Sequence, residues 1–186
     1  LGDNIFYGEG LVEALSSAGK QKEGATIFAY YVKEANRYGV VEIDRNGKVT
    51  SLEEKPTSPK SNYAVTGLYF FDNDVLDIAA NVKPSRRAET EIVDVIREYL
   101  TRGKLRTEIL GRGMAWLDTG TPESLQDASS YIEAIEKRQG LKVACPEEIA
   151  YRLGYIDAGQ LSALANAAGE SAYAEYLRQL LRDVKR

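Results

Sequence analysis

Ala25-Thr26-Ile27-Phe28-Ala29-Tyr30-Tyr31-Val32 is a continuous run of apolar, β-branched and aromatic residues, with none of the polar alternation of a half-exposed strand. Such a run is what a strand buried on both faces requires. Working outward, Leu11 to Ser17 reads as a short helix ahead of it. Tyr38 to Ile43 and Val49 to Glu53 flank Asp44-Arg45-Asn46-Gly47-Lys48, where Asn-Gly supplies the positive φ angles of a hairpin turn. Tyr63 to Phe71 is a further strand, followed by a helix from about Asp74 to Ala80. Glu91 to Arg102 carries Ile92, Val95, Ile96, Tyr99 and Leu100 on one helical face, and Gly103 closes it. Leu105 to Leu110 and Met114 to Leu117 are short strands around Gly111-Arg112-Gly113. Thr121 then reads as an N-cap, with Pro122 first in a helix that runs to Gln139. Beyond Gly140 the character changes, and Pro146 to Leu153, Asp157 to Asn166 and Ser171 to Leu181 are all helical. Strands alternating with helices, then a helical tail, predict an α/β fold: a mixed, mostly parallel sheet with a β-hairpin insertion over residues 1–140, and an α-helical C-terminal subdomain over 141–186.

The composition narrows the chemistry. At 186 residues, 44% hydrophobic and 28% charged, the chain can bury one core plus a helical appendage. A formal charge of -4, with Lys and Arg scattered among acids, gives no sign of a nucleic-acid groove. Cys145 stands alone and forms no internal disulfide; before Pro146, with no histidine to activate it, it reads as a buried structural thiol. No secretory leader and no stretch of about 18 apolar residues is present, so the expectation is a soluble cytoplasmic protein with no membrane partner. There is no histidine at all, which excludes Ser-His-Asp and Cys-His catalysis and the usual zinc enzymes within this chain. Carboxylate, lysine, arginine and backbone amide remain, the set suited to metal-assisted phosphoryl or nucleotidyl transfer.

Two acids stand out. Asp3 lies in Leu1-Gly2-Asp3-Asn4-Ile5-Phe6-Tyr7-Gly8 and Asp118 in Met114-Ala115-Trp116-Leu117-Asp118-Thr119-Gly120-Thr121. Each sits at the polar end of a short apolar run beside glycine and small polar residues, beyond the carboxyl end of a strand, where ligands of α/β sheets bind. A strand-ending turn at Asp3 and a plain helix start at Asp118 are the competing readings. Two aspartates suffice for Mg2+, which keeps several waters and takes only one or two protein carboxylates. In Ser51-Leu52-Glu53-Glu54-Lys55-Pro56, Pro56 stops regular pairing and holds Lys55 at a rim, either as a phosphate partner or as a charged edge that blocks sheet extension. Gly39, in Arg37-Tyr38-Gly39-Val40-Val41, either admits a ligand to the backbone or only relieves a strand start.

These segments, together with Asn62-Tyr63-Ala64-Val65-Thr66-Gly67-Leu68-Tyr69-Phe70-Phe71, closely resemble the sugar-nucleotide pyrophosphorylases, and within them the glucose-1-phosphate thymidylyltransferases, from Leu1 to about Leu181. The resemblance implies a Rossmann-like nucleotidyltransferase fold and Mg2+-dependent condensation of dTTP with glucose 1-phosphate to dTDP-glucose and pyrophosphate. It implies that Asp3 and Asp118 hold Mg2+, with Asn4 near the same phosphate region, that Glu54 binds sugar hydroxyls and Lys55 the sugar phosphate, and that Gly39, Val65 and Tyr69 line the sugar pocket. Trp116 reads as packing first and a sugar-stacking wall second. Pro84-Ser85-Arg86-Arg87-Ala88-Glu89-Thr90-Glu91-Ile92-Val93-Asp94 resembles the family's Arg-Gly-Glu-Leu-Glu-Ile-Thr-Asp element, in which Arg87 and Glu89 keep the polar positions. The family's glycine-rich nucleotide loop is expected upstream of Leu1, so these 186 residues alone are expected to be inactive. The full-length protein is expected to be a homotetramer. The same reaction with UTP is the alternative, and a non-catalytic role in oligomerisation or regulatory nucleotide binding is the other.

Overall fold

The computed structural model describes residues 2–84 and 90–183. Two compact units divide the chain, Leu1–Ser124 and Leu125–Arg186. Within the second unit, Glu136 pairs with Lys142 and accepts a hydrogen bond from the Val143 amide at 2.9 Å.

The first unit contains β1 (Asn4–Gly8), α1 (Leu11–Gly19), β2 (Ala25–Tyr31), β3 (Gly39–Ile43), β4 (Val49–Glu54), β5 (Tyr63–Phe71), α2 (Asp74–Asn81), α3 (Ile92–Thr101), β6 (Leu105–Leu110) and β7 (Met114–Asp118). Five strands form one sheet in the order β4-β3-β5-β2-β6. The apolar run of β2 lies inside it, and its residues alternate between two layers. Ile27 and Ala29 pack with Val41, Leu52 and Val65 under Val93 and Ile96 of α3. Phe28, with Tyr30 beside it, joins Leu110, Met114 and Phe70 and the α1 residues Ala14, Leu15 and Ala18. Both faces of β2 are thus covered, which is why the run has no polar alternation. Ala25 packs at a third cluster with Ile78 of α2 and with Val95 and Tyr99 of α3.

The sheet is mixed, as expected, but not mostly parallel. Only β2 and β6 run parallel; β2/β5, β3/β5 and β3/β4 are antiparallel. The hairpin accounts for this. It brings β5 back between β3 and β2, so a single crossover remains to make a parallel pair. The hairpin turn also differs from the expected one. Only Gly47 takes a left-handed φ, 81°. Asp44 closes the loop instead, its side chain accepting from the amides of Asn46 and Lys48 at 2.8 and 2.9 Å, and the register shifts between Glu42 and Ile43.

A second, two-stranded antiparallel sheet pairs β1 with β7. Sequence reading found β7 and left β1 unassigned. After β7, the Thr121 hydroxyl accepts from the Ser124 amide at 3.2 Å, the expected cap of α4 (Pro122–Gln139).

The second unit holds the rest of α4 with α5 (Pro146–Arg152), α6 (Ala158–Ala167) and α7 (Ala172–Asp183). Its core is Cys145, Leu161, Ala165, Tyr176, Leu177 and Leu180. Cys145 is 3% exposed, the buried thiol that was expected. Asp157 and Gln160 form a reciprocal capping box at the start of α6. Among the described residues no helix is long and apolar enough to cross a membrane.

Candidate functional site

Strand β7 ends on Asp118, and Asp3 stands immediately ahead of β1. Asp118 thus stands at the carboxyl end of its strand, as expected, while Asp3 leads into β1. They meet because the strands are antiparallel: Asn4 pairs with Asp118 across the sheet. Thr119 fastens the junction, its amide and hydroxyl donating to the Asp3 carbonyl at 2.8 and 2.9 Å. Gly120 leaves an opening between the carboxylates. A Cβ built on it would lie 3.4 Å from Asp118 Oδ1 and 3.8 Å from Asp3 Oδ2.

Asn4 organises the space beside Asp3. Its Oδ1 accepts from Trp116 Nε1 at 2.6 Å and from the Gly67 amide at 3.2 Å, while its Nδ2 donates to Asp3 Oδ1 at 2.9 Å. Gly67 must lack a side chain for this, because a Cβ there would come within 2.7 Å of the Asn4 amide. Tyr38 packs on Trp116 with ring centroids 5.0 Å apart and lies near Asp118. Burial raises the Tyr38 hydroxyl above the usual phenol range; the nearby Arg37 charge opposes the rise and Asp118 adds to it. Tyr38 therefore keeps its proton at neutral pH.

The hairpin supplies the opposite rim. Lys55 follows the last residue of β4 with a φ of 40°, a left-handed conformation rarely taken by a residue with a Cβ. Its amide donates to the Tyr38 carbonyl at 3.0 Å, and its Nζ lies 3.7 Å from Glu54 Oε1. Gly39 sits across from Glu54 in the β3/β4 register. A Cβ on Gly39 would meet Val93 Cγ2 at 3.0 Å and Glu54 Oε2 at 3.3 Å, so the missing side chain keeps Glu54 where it is. Burial, reinforced by the Glu54 charge, pushes the Tyr69 hydroxyl up to about 12.

Between the rims lies a cleft of about 230 Å³. It gathers Asp3, Asn4, Gly39, Glu54, Lys55, Val65, Tyr69 and Asp118 from five separate segments of the chain. Arg87 and Glu89, the remaining expected site residues, lie outside the described residues. Arg37, Tyr38, Gly67, Ile92 and Val93 also line the cleft and were not singled out. Two of them carried a signal. Tyr38 directly precedes Gly39, and Gly67 lies two residues from both Val65 and Tyr69, a spacing that puts all three on one strand face. Trp116, likewise two residues before Asp118, lines the cleft and is also a hydrogen-bond donor within it, a role beyond packing or stacking.

Chemically, the cleft opposes a lysine to a pair of carboxylates. The two aspartates and the gap above Gly120 suit a hard divalent cation, which takes oxygen donors and needs no more than two from protein when waters and phosphate complete its shell. Among the described residues no group of three or more His, Cys, Asp or Glu is placed to bind a metal.

Known proteins similar to this chain indicate its family. The chain is 54% identical over 182 residues to the glucose-1-phosphate thymidylyltransferase of Xanthomonas campestris pv. campestris, covering 98% of this chain and 62% of the relative. It is 56% identical over 181 residues to that of Mycolicibacterium smegmatis, with 97% and 62% covered. The chain thus spans about 62% of the length of these curated relatives. Among solved structures, a Bacillus anthracis protein described as a glucose-1-phosphate thymidylyltransferase, in complex with sucrose, superimposes with a TM-score of 0.62 at 41% identity, over 70% of this chain and 52% of that one. A UDP-glucose pyrophosphorylase complexed with UDP-glucose shares the fold, with a TM-score of 0.62 at 23% identity over 75% of this chain and 55% of that one. The family model for nucleotidyl transferases matches residues 1–135, a span that takes in both aspartates and the whole cleft, and the chain belongs to the nucleotidyl transferase family.

Proposed function

We propose that this chain carries the sugar-phosphate and cation-binding part of a glucose-1-phosphate thymidylyltransferase, which condenses dTTP with glucose 1-phosphate to dTDP-glucose and pyrophosphate. The observation that carries the reading is the placement of Lys55 and Glu54 across one cleft from the Asp3/Asp118 pair. The relatives' names support the choice of substrates.

In this reading the Lys55 ammonium binds the phosphate of the sugar substrate as a point charge, and Glu54 accepts from sugar hydroxyls. Gly39 lets the hexose approach the backbone, Val65 and Tyr69 wall the pocket, and Asn4 lies beside the phosphates. A sugar-phosphate oxygen forms a bond to the α-phosphorus of the nucleotide while the bond from that phosphorus to pyrophosphate breaks, so no covalent enzyme intermediate is needed. Asp3 and Asp118 would hold Mg2+, which when bound offsets charge on the nucleotide phosphates. The cytoplasm, a homotetrameric whole protein and a place in supplying dTDP-rhamnose for polysaccharide synthesis complete the proposal.

The direct test is Lys55→Met in the complete enzyme, which keeps the aliphatic stem and removes the charge. The KM for glucose 1-phosphate is expected to rise about tenfold or more while that for dTTP changes little. Equal rises for both substrates would instead assign Lys55 to the sheet edge.

A further inference from the structure

We infer that Trp116 is a positioning residue for the Asp3 carboxylate, acting through the side-chain amide of Asn4; its importance for cation binding rests on the reading of Asp3 and Asp118 given above. An asparagine amide presents an oxygen on one side and an NH2 on the other, and its partners decide which way it points. Here three partners vote alike. The Trp116 indole and the Gly67 amide can only donate, and both meet the same Asn4 atom, at 2.6 and 3.2 Å, so that atom is the oxygen. The NH2 is then obliged to face Asp3 Oδ1, 2.9 Å away. Turned the other way, the amide would set its NH2 against two N–H groups and its oxygen against a carboxylate.

The shorter of the two bonds to Asn4 comes from Trp116, and the indole is well placed to impose it. Trp116 is 8% exposed and is flanked by Tyr38 and Tyr30, at centroid distances of 5.0 and 6.0 Å. With Oδ1 of Asp3 engaged by Asn4, its Oδ2 is the oxygen left toward Gly120 and Asp118. Tyr38, packed against the same indole, lines the cleft with Asp118. The indole therefore sets the aim of the Asp3 carboxylate through Asn4.

Trp116 is the chain's only tryptophan, so its indole N–H gives one unambiguous signal in a 1H–15N spectrum. In metal-free protein, Asp3→Asn is expected to shift that signal, and to leave it unmoved in an Asn4→Ala background. Trp116→Phe keeps a ring against Tyr38 and Tyr30 but has no N–H. Titrated with Mn2+ alone and followed by electron paramagnetic resonance, it is expected to bind about tenfold more weakly than the unchanged protein, as when a group orienting a metal ligand is lost. In the Asn4→Ala background Trp116→Phe should add no further loss. Unchanged Mn2+ affinity in folded Trp116→Phe, or a loss that persists without Asn4, overturns the inference. If Asp118→Asn leaves Mn2+ binding untouched, the cation reading fails and the metal-free indole shift decides the relay by itself: an indole that ignores Asp3→Asn overturns it, and one that responds through Asn4 upholds it.

Discussion

In the cleft, polar groups are held in positions the backbone would not choose. Lys55 has φ 40°, and Asn4 lies where any side chain on Gly67 would collide with it. In the helical unit similar groups tie one helix to another. The hydroxyls of Tyr173 and Tyr176 on α7 donate to Glu147 and Glu148 on α5, and Asp157 and Gln160 cap α6 in the usual way. Tyrosine and carboxylate lie close in both places, Tyr38 near Asp118 and Tyr173 on Glu147. Asp118 shares its cleft with Asp3, Lys55 and Glu54, whereas Glu147 also accepts from Cys145 Sγ at 3.7 Å, beside the core of the tail. The difference teaches where substitutions should be felt: as lost activity with little lost stability in the cleft, and the reverse in the tail.

The sharpest way to break that contrast is Asp118→Asn. It is nearly isosteric, so turnover of the complete enzyme should fall on the order of 100-fold or more while the melting temperature stays within about a degree or two. A large thermal loss would make Asp118 a structural acid like Glu147. Gly39→Ala comes next. Its Cβ would press on Val93 and Glu54, so the KM for the sugar substrate should rise about tenfold, with about 1 kcal/mol of stability lost to overpacking. A crystal structure or a denaturant titration separates the two effects.

Lys55→Gly sharpens the contrast, since it removes the charge and relieves the left-handed backbone at once. Sugar-phosphate binding should be lost while stability is kept or gained by up to about 1 kcal/mol in urea unfolding. A protein both weaker in binding and less stable would show that the Lys55 side chain supports the rim as well. The smallest effect is expected from Tyr173→Phe, about 1 kcal/mol of stability at neutral pH and no change in turnover. Here pH decides the sign. The hydrogen bond from Tyr173, with the backbone amide adding to it, holds the Glu147 carboxyl below the usual carboxylate range. A group whose folded value is depressed contributes stability above its unfolded value, about 4.3 for glutamate, and that stability is lost as pH falls through the folded value. The curves of the two proteins should therefore converge in acid, and parallel curves would mean that Tyr173 acts through packing alone.

Much of the fold was legible. β5 and β6 match the expected Tyr63–Phe71 and Leu105–Leu110 residue for residue: β5 is a long apolar and aromatic run, and β6 is a short strand closed by the Gly111-Arg112-Gly113 turn. β1 escaped because Asn4 and Gly8 bracket only three apolar residues, and its partner lies more than a hundred positions away in β7. The same distance problem misled the estimate of parallel pairing: periodicity reports which residues are strands, and says nothing of β5 inserting between β3 and β2. In the cleft, Asp3, Asn4, Gly39, Glu54, Lys55, Val65, Tyr69 and Asp118 could be picked out through local letters and family likeness, and they do converge. The bonds among them could not. No spacing rule links Trp116 to an amide 112 residues earlier, and nothing in a lysine before a proline announces a positive φ.

That separation has a consequence for the order in which the molecule assembles. The two aspartates become neighbours only when β1 zips against β7, a closure that spans most of the first unit, and the cost of closing a loop is incurred before its contacts reward it. Hairpin β3/β4 and the helices of the tail can form from neighbours in the chain. During synthesis from the amino end, Asp3 gains Asp118 as a neighbour only once β7 has emerged, so the acid pair is among the last parts of the first unit to exist.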